Sequence, residues 1–320
     1  MAVPHPSVFL PEHVFPPERV SSLLTRSAAK QQLYSVDTYF RDSWEDLVGV
    51  CNSRAEEIAE RHAFLLLKPD AVVRRQLSAA LKWLSAEGWE VVHARRFRVN
   101  RWAVRALWQY QWNTATRDRR EMADCYMTAT DSLVLILRIA GESPEWACTE
   151  LTHAKGGSDP LRCRPGQLRY ALGTLNQQLN LVHSADEPAD LVREIGICFP
   201  AEERSALYAA LADGADAWRE AFALAHALEA AQEPLDLTLS GTVEQVLARA
   251  AGASELHTCL TRLGAGEDVS WSAVSRAAER SGVTLGDWER IVLGTSLLVP
   301  TLAGVAPLLP DGSAHPPELP

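Results

Sequence analysis

Residues 63 to 88 read AFLLLKPDAVVRRQLSAALKWLSAEG, and three patterns follow one another within that stretch. Ala63 to Leu67 is a short continuous apolar run, which reads as a strand. Lys68, Pro69 and Asp70 interrupt it, and from Ala71 onward apolar residues recur at spacings of three and four, the period of an amphipathic helix. Strand, loop and helix therefore follow in that order.

Moving toward the C-terminus, WEVVHARRFRV (89–99) reads as a second strand, RWAVRALWQYQW (101–112) and the neighbourhood of REMADCYM (120–127) as helices, and DSLVLILRIAG (131–141) as a buried strand. A Gly/Pro-rich stretch, HAKGGSDPLRCRPG (153–166), leads to a further predicted helix, QLRYALGTLNQQ (167–178). The apolar NLVH (180–183) and an acidic helix, EPADLVREIG (187–196), come next. Strands separated by helices in this order predict an α/β (α+β) ferredoxin-like sandwich of the split βαβ kind.

The flanks differ in character. Residues 28–62 are polar and predict helix, an N-terminal extension spanning 1–60. Beyond Cys198 the chain is rich in alanine and leucine with no strand pattern. AEERSALYAALADGADAWREAFALAHALEAAQ (201–232) reads as a helical hairpin or one long helix, and breaks at EPLDL (233–237) and GAGED (264–268) divide the remainder. The expected organisation is an extension (1–60), the sandwich (61–200), an all-α C-terminal module (201–300) and a Pro-rich tail (301–320). The prolines from Pro4 to Pro17 and from Pro300 to Pro320 predict surface arms without regular structure. WSAVSRAAERSGVTLGDWERIV (271–292) has a helix-turn-helix rhythm, but Arg290 stands beside Asp287 and Glu289, a balance that repels phosphate and favours packing over DNA contact.

Composition narrows the function. Of 320 residues 47% are hydrophobic, enough for a real core, and the net charge of −10 argues against general attraction to nucleic acid or to anionic membranes. Any anion is then bound at a specific site. No apolar segment is long enough to span a bilayer, and the first twenty residues lack a signal-peptide pattern, so a cytoplasmic protein is expected. The six cysteines show no CxxC spacing and read as reduced thiols. Lysine occurs only at positions 30, 68, 82 and 155, with arginine supplying every other basic side chain, so each lysine invites a reason. His183, ending an apolar triplet and followed by a carboxylate-bearing helix, reads alone as core filler, yet histidine is also the side chain most able to carry a phosphoryl group.

Four stretches decide between those readings: FLLLKPDAVVR (64–74), RPGQLR (164–169), NLVHSAD (180–186) and REIGICF (193–199). Taken in order, they give residues 61–200 a resemblance to nucleoside diphosphate kinases. That resemblance implies a phosphohistidine enzyme that moves the terminal phosphate of ATP or another nucleoside triphosphate to a diphosphate or a specialised phosphorylated acceptor. It implies His183 as nucleophile and Glu194 as the carboxylate that orients its ring. Lys68, Arg169, Asn180, Ser158 and Tyr110 are implied as nucleotide contacts, and Asp186 as a carboxylate near a Mg²⁺ held mainly by phosphates. Arg74 matches an arginine with a structural or charge-balancing role. A homo-oligomer is also implied.

The departures are specific. Thr152 stands where the family has a second phosphate-binding arginine, with Lys155, Arg162 and Arg164 as nearby replacements for its charge. Ala185 replaces the serine that supports the glutamate, and 113–125 replaces the stretch that stacks on the base. They keep a second reading in play, a catalytically weak nucleotide-binding regulatory or scaffold protein.

Overall fold

The computed structural model describes residues 20–141, 143–250, 252 and 254–309; the N-terminal Pro4–Pro17 stretch and the last eleven residues of the Pro-rich tail lie outside the described residues. The apolar run becomes β1 (His62–Leu67), buried at every position because both faces of the sheet are covered. With β2 (Trp89–Phe97), β3 (Ser132–Ile139) and β4 (Val182–Ser184) it forms a four-stranded sheet in the order β2-β3-β1-β4. All three pairings are antiparallel, and β1 lies between β3 and β4, as two interleaved split βαβ units require. The register of the edge pair sets Leu66 opposite His183 and Leu67 opposite Val182. Lys68, the residue after β1, donates its backbone N–H to Leu181 O at 2.9 Å, so the KPD turn is stitched to the segment entering β4.

The helices that precede and surround the sheet are α1 (Ala28–Ser35), α2 (Thr38–Cys51), α3 (Ala55–Arg61), α4 (Pro69–Val73), α5 (Leu77–Ala86), α6 (Arg101–Leu107), α7 (Arg117–Met127), α8 (Ala147–Lys155), α9 (Leu168–Leu172) and α10 (Pro188–Cys198). Two predicted helices are shorter than their periodicity implied. α6 stops at Leu107, and residues 108–114 form turns and a 3₁₀ segment. α9 stops at Gly173, whose φ of 72° closes the helix in a left-handed cap. The loop beyond is then held by Asn176, whose Oδ1 accepts from the N–H groups of Gln178 and Leu179.

The N-terminal segment is built into the core. α2 lies so close to α10 that a Cβ on Gly196 would collide with the carbonyl of Tyr39 and with Ser43, which is why REIG ends in glycine. Buried polar contacts fix the same junction. Asp37 caps α2 through Oδ1 and accepts from Arg193 Nε at 2.9 Å and Tyr110 OH at 2.8 Å through Oδ2. Asp190 accepts from Lys30 Nζ at 2.6 Å and Tyr34 OH at 2.6 Å.

After α10 the chain continues as α11 (Ala201–Asp213) and α12 (Trp218–Ala230), two helices rather than one because Gly214 breaks them at a φ of 67°. α12 covers β2, and the N–H of Ala217 donates to Val91 O at 2.8 Å, so the edge strand meets its own chain there. α13 (Leu239–Leu247), α14 (Glu255–Gly264), α15 (Trp271–Arg280) and α16 (Asp287–Leu297) enclose a smaller apolar core of their own around Val246, Leu256, Leu260 and Leu293. α16 seats on α7 at Gly294, which lies against Met122, and Asn176 donates to Thr295 Oγ1 at 3.1 Å. The residues after α16 then run along 110–116: Leu302 and Leu308 donate their N–H groups to Thr114 O and Tyr110 O, and Leu309 is buried. This arm holds on through its non-proline residues, which keep the donors that proline lacks.

Candidate active site

The site is built from the backbone outward. Leu181, between Asn180 and Val182, adopts a φ of 69°, a left-handed conformation that a branched side chain rarely takes and that costs on the order of 1–3 kcal/mol. The KPD turn holds it there. Asp70 Oδ2 accepts the Leu181 N–H at 2.8 Å while Lys68 N–H grips its carbonyl, and Asp70 Oδ1 is fixed by Tyr126 OH at 3.2 Å. The motif's aspartate thus shapes the peptide that delivers the histidine, and its lysine continues past it into the cavity.

His183 is half-buried in β4, its ring packed edge-on against Trp108 with centroids 5.2 Å apart and near Phe64. Its Nε2 lies 2.8 Å from Glu194 Oε1. A carboxylate can only accept, so Nε2 carries a proton, and in the neutral ring this tautomer leaves the lone pair on Nδ1, the form a nucleophile needs. Glu194 reaches the ring because α10 starts at Pro188 and turns that residue back toward β4. Its second oxygen, Oε2, is buried with no hydrogen-bond partner among the described residues. The carboxylate is held on one side only.

Around the histidine opens a cavity of about 210 Å³, lined by three buried cations, Lys68, Lys155 and Arg169, and by Asn180, Ser158 and Asp186. Lys68 Nζ donates to Gln178 O at 2.8 Å and to Asn180 Oδ1, and lies 5.1 Å from the Tyr126 ring centroid. Burial, together with repulsion from Arg169 and Lys155 and against the attraction of Asp70, pushes its ammonium down to about 7. Such a group favours an arriving anion. Arg169 spreads its guanidinium over the carbonyls of Gly156 at 2.9 Å, Val182 at 2.7 Å and Asn180 at 3.3 Å, locking α9 to the strand that bears His183. Asn180 completes the frame by donating to Gln177 O at 2.8 Å.

Most of the residues singled out from sequence meet at this cavity: His183, Glu194, Lys68, Arg169, Asn180, Ser158 and Asp186 all border it. Tyr110 borders it too, and its hydroxyl donates to Asp37 inside the network around Arg193, which joins the segment after α6 to the start of α2. Asp186 is half-buried and accepts from Thr152 Oγ1 at 3.0 Å. Arg74 donates to Gly173 O at 2.6 Å, a structural contact that secures the end of α9. Of the three basic residues near Thr152, Arg162 and Arg164 are exposed, whereas Lys155 is buried in the cavity wall. Trp108 and Tyr126 carry no motif and were not legible as site residues. Their only signal in sequence is aromatic content, Trp108 just after α6 and Tyr126 near the end of α7.

The model of the nucleoside diphosphate kinase family matches residues 61–204. Nucleoside diphosphate kinase of Nocardioides sp. is 32% identical over 136 residues, covering 42% of this chain and 94% of that one. The same-named protein of Mycolicibacterium vanbaalenii is 31% identical over 137 residues, again covering 42% and 94%. Among solved structures, an NDP kinase from Pyrobaculum aerophilum aligns at a TM-score of 0.38 with 20% identity, over 45% of this chain and 97% of its own. The chain belongs to the nucleoside diphosphate kinase family.

Proposed function

We propose that the protein is a phosphotransferase that takes the terminal phosphate of a nucleoside triphosphate onto His183 and passes it to a nucleoside diphosphate or a specialised phosphorylated acceptor. The observation that carries this reading is the His183–Glu194 pair at 2.8 Å on the wall of a cavity whose other walls are cationic. Nδ1 attacks the terminal phosphorus, the bond to the bridging oxygen breaks, and the diphosphate leaves with that oxygen's charge; the second half-reaction runs the same displacement backward onto the acceptor. Glu194 keeps the Nε2 proton and stabilises the charge that the ring acquires. Lys68 and Arg169 offset charge on the phosphate oxygens, Asn180 holds the Lys68 ammonium in place, and Ser158 offers a hydroxyl.

The family resemblance implies a Mg²⁺ held mainly by the substrate's own phosphates, and Asp186, a carboxylate on the cavity wall, would stand near it. Such an ion would neutralise phosphate charge. Any homo-oligomer forms through surfaces other than the stretch of β2 that Ala217 and α12 cover. Among the described residues no helix is long and apolar enough to cross a membrane.

A second reading, a nucleotide-binding regulatory or scaffold protein with little turnover, draws support from Glu194 Oε2, which lacks the partner a serine at 185 would provide. Incubation with γ-labelled ATP separates the two. Transfer gives an acid-labile, base-stable label that His183→Ala abolishes and that Glu194→Gln slows by about tenfold to a hundredfold. Nucleotide binding with no label leaves the scaffold reading.

A further inference from the structure

We propose that the exposed face formed by Arg96, Arg98, Arg101 and Trp102 is a docking surface for an acidic peptide segment of a partner protein, one that combines two carboxylates with an apolar side chain. None of these residues borders the cavity around His183, and the proposal does not depend on the phosphotransferase reading. Residues 95–105 hold five arginines and no acidic residue, in a chain whose net charge is −10. Arg95 points to the other face of β2, where it pairs with Glu203 at 2.6 Å and lies over the Phe199 ring. Arg96 and Arg98 both reach Asp131, the residue before β3, and Arg101 and Arg105, one turn apart on α6, both reach Asp124 of α7.

Each of those carboxylates is held by one arginine before the second arrives. Asp131, which is buried, accepts from Arg96 through Oδ2, and Asp124 accepts from both Nη groups of Arg105 at 2.7 Å. Arg98 adds a contact to Asp131 Oδ1 at 3.1 Å, and Arg101 Nε stands 3.3 Å from Asp124 Oδ2, with side chains 69% and 65% exposed. Exposed pairs of that kind add little to folding. Four guanidiniums against two carboxylates leave an excess of two positive charges on one strip, because Arg98 and Arg101 are three residues apart and so within about 11 Å of each other. Trp102 lies in the same strip, 73% exposed, with the Arg101 guanidinium 5.9 Å from its ring centroid. Tryptophan and arginine are the side chains that dominate binding energy where proteins meet. Charge then selects the occupant. These arginines already bind carboxylates of their own chain, and a guanidinium fork receives a carboxylate through two parallel hydrogen bonds. A segment with two Asp or Glu residues matches the excess, whereas a nucleic acid brings a phosphate with every nucleotide, which the chain's net charge repels. An apolar residue between the two acids covers the Trp102 indole.

The test uses the full-length protein and a fluorescein-labelled peptide in which a phenylalanine stands between two glutamates, read by fluorescence anisotropy against the same peptide with glutamines in their place. The acidic peptide is expected to bind about tenfold more tightly than the glutamine peptide at low salt, and to be released as salt rises toward about 0.5 M. Trp102→Ala, and Arg98→Ala combined with Arg101→Ala, should each weaken that binding about threefold to tenfold. Asp131 keeps Arg96 and Asp124 keeps Arg105 in these variants, so their melting temperatures should stay parental. Arg98→Gln with Arg101→Gln retains a donor for each carboxylate and serves if the alanine variants do not fold. Equal affinity for the two peptides, or parental affinity in folded Trp102→Ala, overturns the proposal. Tighter binding of a single-stranded oligonucleotide that Trp102→Ala weakens also overturns it, and makes the strip a nucleic-acid contact. Self-association that Trp102→Ala abolishes, seen by analytical ultracentrifugation, overturns it in favour of a second copy of this chain. Transfer of label to His183 should be the same in every variant, so failure of the phosphotransferase reading leaves this test intact.

Discussion

At the scale of single residues, the site depends on cations held out of water. Lys68 is the clearest case, its ammonium brought down to about 7 by burial and by Arg169 and Lys155, against the pull of Asp70. A bound polyphosphate favours the charged form and lifts that value, so binding takes up a proton wherever the empty site has lost it. Affinity for tripolyphosphate should therefore be greatest below pH 7 and fall as pH rises through about 7 and beyond, by up to roughly tenfold for each unit. Calorimetry at pH 8 in buffers of different ionisation enthalpy should register uptake of up to one proton, and Lys68→Met should abolish it. Much of this layer was readable beforehand through the family resemblance: Lys68, Asn180, His183, Glu194 and Arg169 all lie in the four ordered motifs that carry it. Lys155 was readable only as one of three candidate replacements for the charge missing at 152, and Trp108 not at all, because each becomes a neighbour of β4 only when α8 and the segment after α6 pack against it.

At the scale of elements, α10 connects the chemistry to the rest of the molecule. The face that presents Glu194 to His183 also presents Asp190, one turn earlier, to Lys30 and Tyr34, while Arg193 beside them reaches Asp37. On the side of Arg193, Gly196 lets α2 approach. Gly196→Ala places a methyl group against the Tyr39 carbonyl, which cannot move without shifting α2. Overpacking of this kind costs about 1–3 kcal/mol, so chemical denaturation should show a loss of that order. Phosphohistidine formation should slow as well, because a displaced α10 carries Glu194 away from the ring. A variant with unchanged stability and unchanged labelling would show that the helices separate freely at this point. The length of α10 was legible from Pro188 and its apolar spacing. The end of α9 was not, since a local glycine cap and the Asn176 turn overrode an apolar pattern that continued.

At the scale of the whole molecule, the segment matched by the family does not stand alone. Phe40 and Leu47 of α2 belong to the same apolar core as the sheet, and α12 is clamped to α4 and α5 by Glu229, which accepts the Leu77 N–H at 2.9 Å, and by Arg75, which donates to Gln232 O at 2.6 Å. A fragment of residues 61–204 leaves Arg193 buried without Asp37, a loss of about 3–5 kcal/mol against a net stability of about 5–15 kcal/mol for a domain. It also uncovers β2. Circular dichroism during urea unfolding should show no cooperative transition for this fragment, whereas the chain from 20 to 309 unfolds in at least one sharp step. A cooperative fragment would mean that the flanks decorate a self-sufficient core.

The sequence by itself determined the order of strands and helices and the helical character of both flanks, because each is encoded by periodicity within a few residues, and the family resemblance singled out the short motifs that carry the histidine, its carboxylate and the first lysine. Tertiary structure alone decided that the N-terminal helices brace α10, that the C-terminal arm runs along 110–116, and that Lys155 stands beside the nucleophile. Those outcomes depend on which buried surfaces meet and which charges are left to face each other, quantities that exist only once distant parts of the chain share a core.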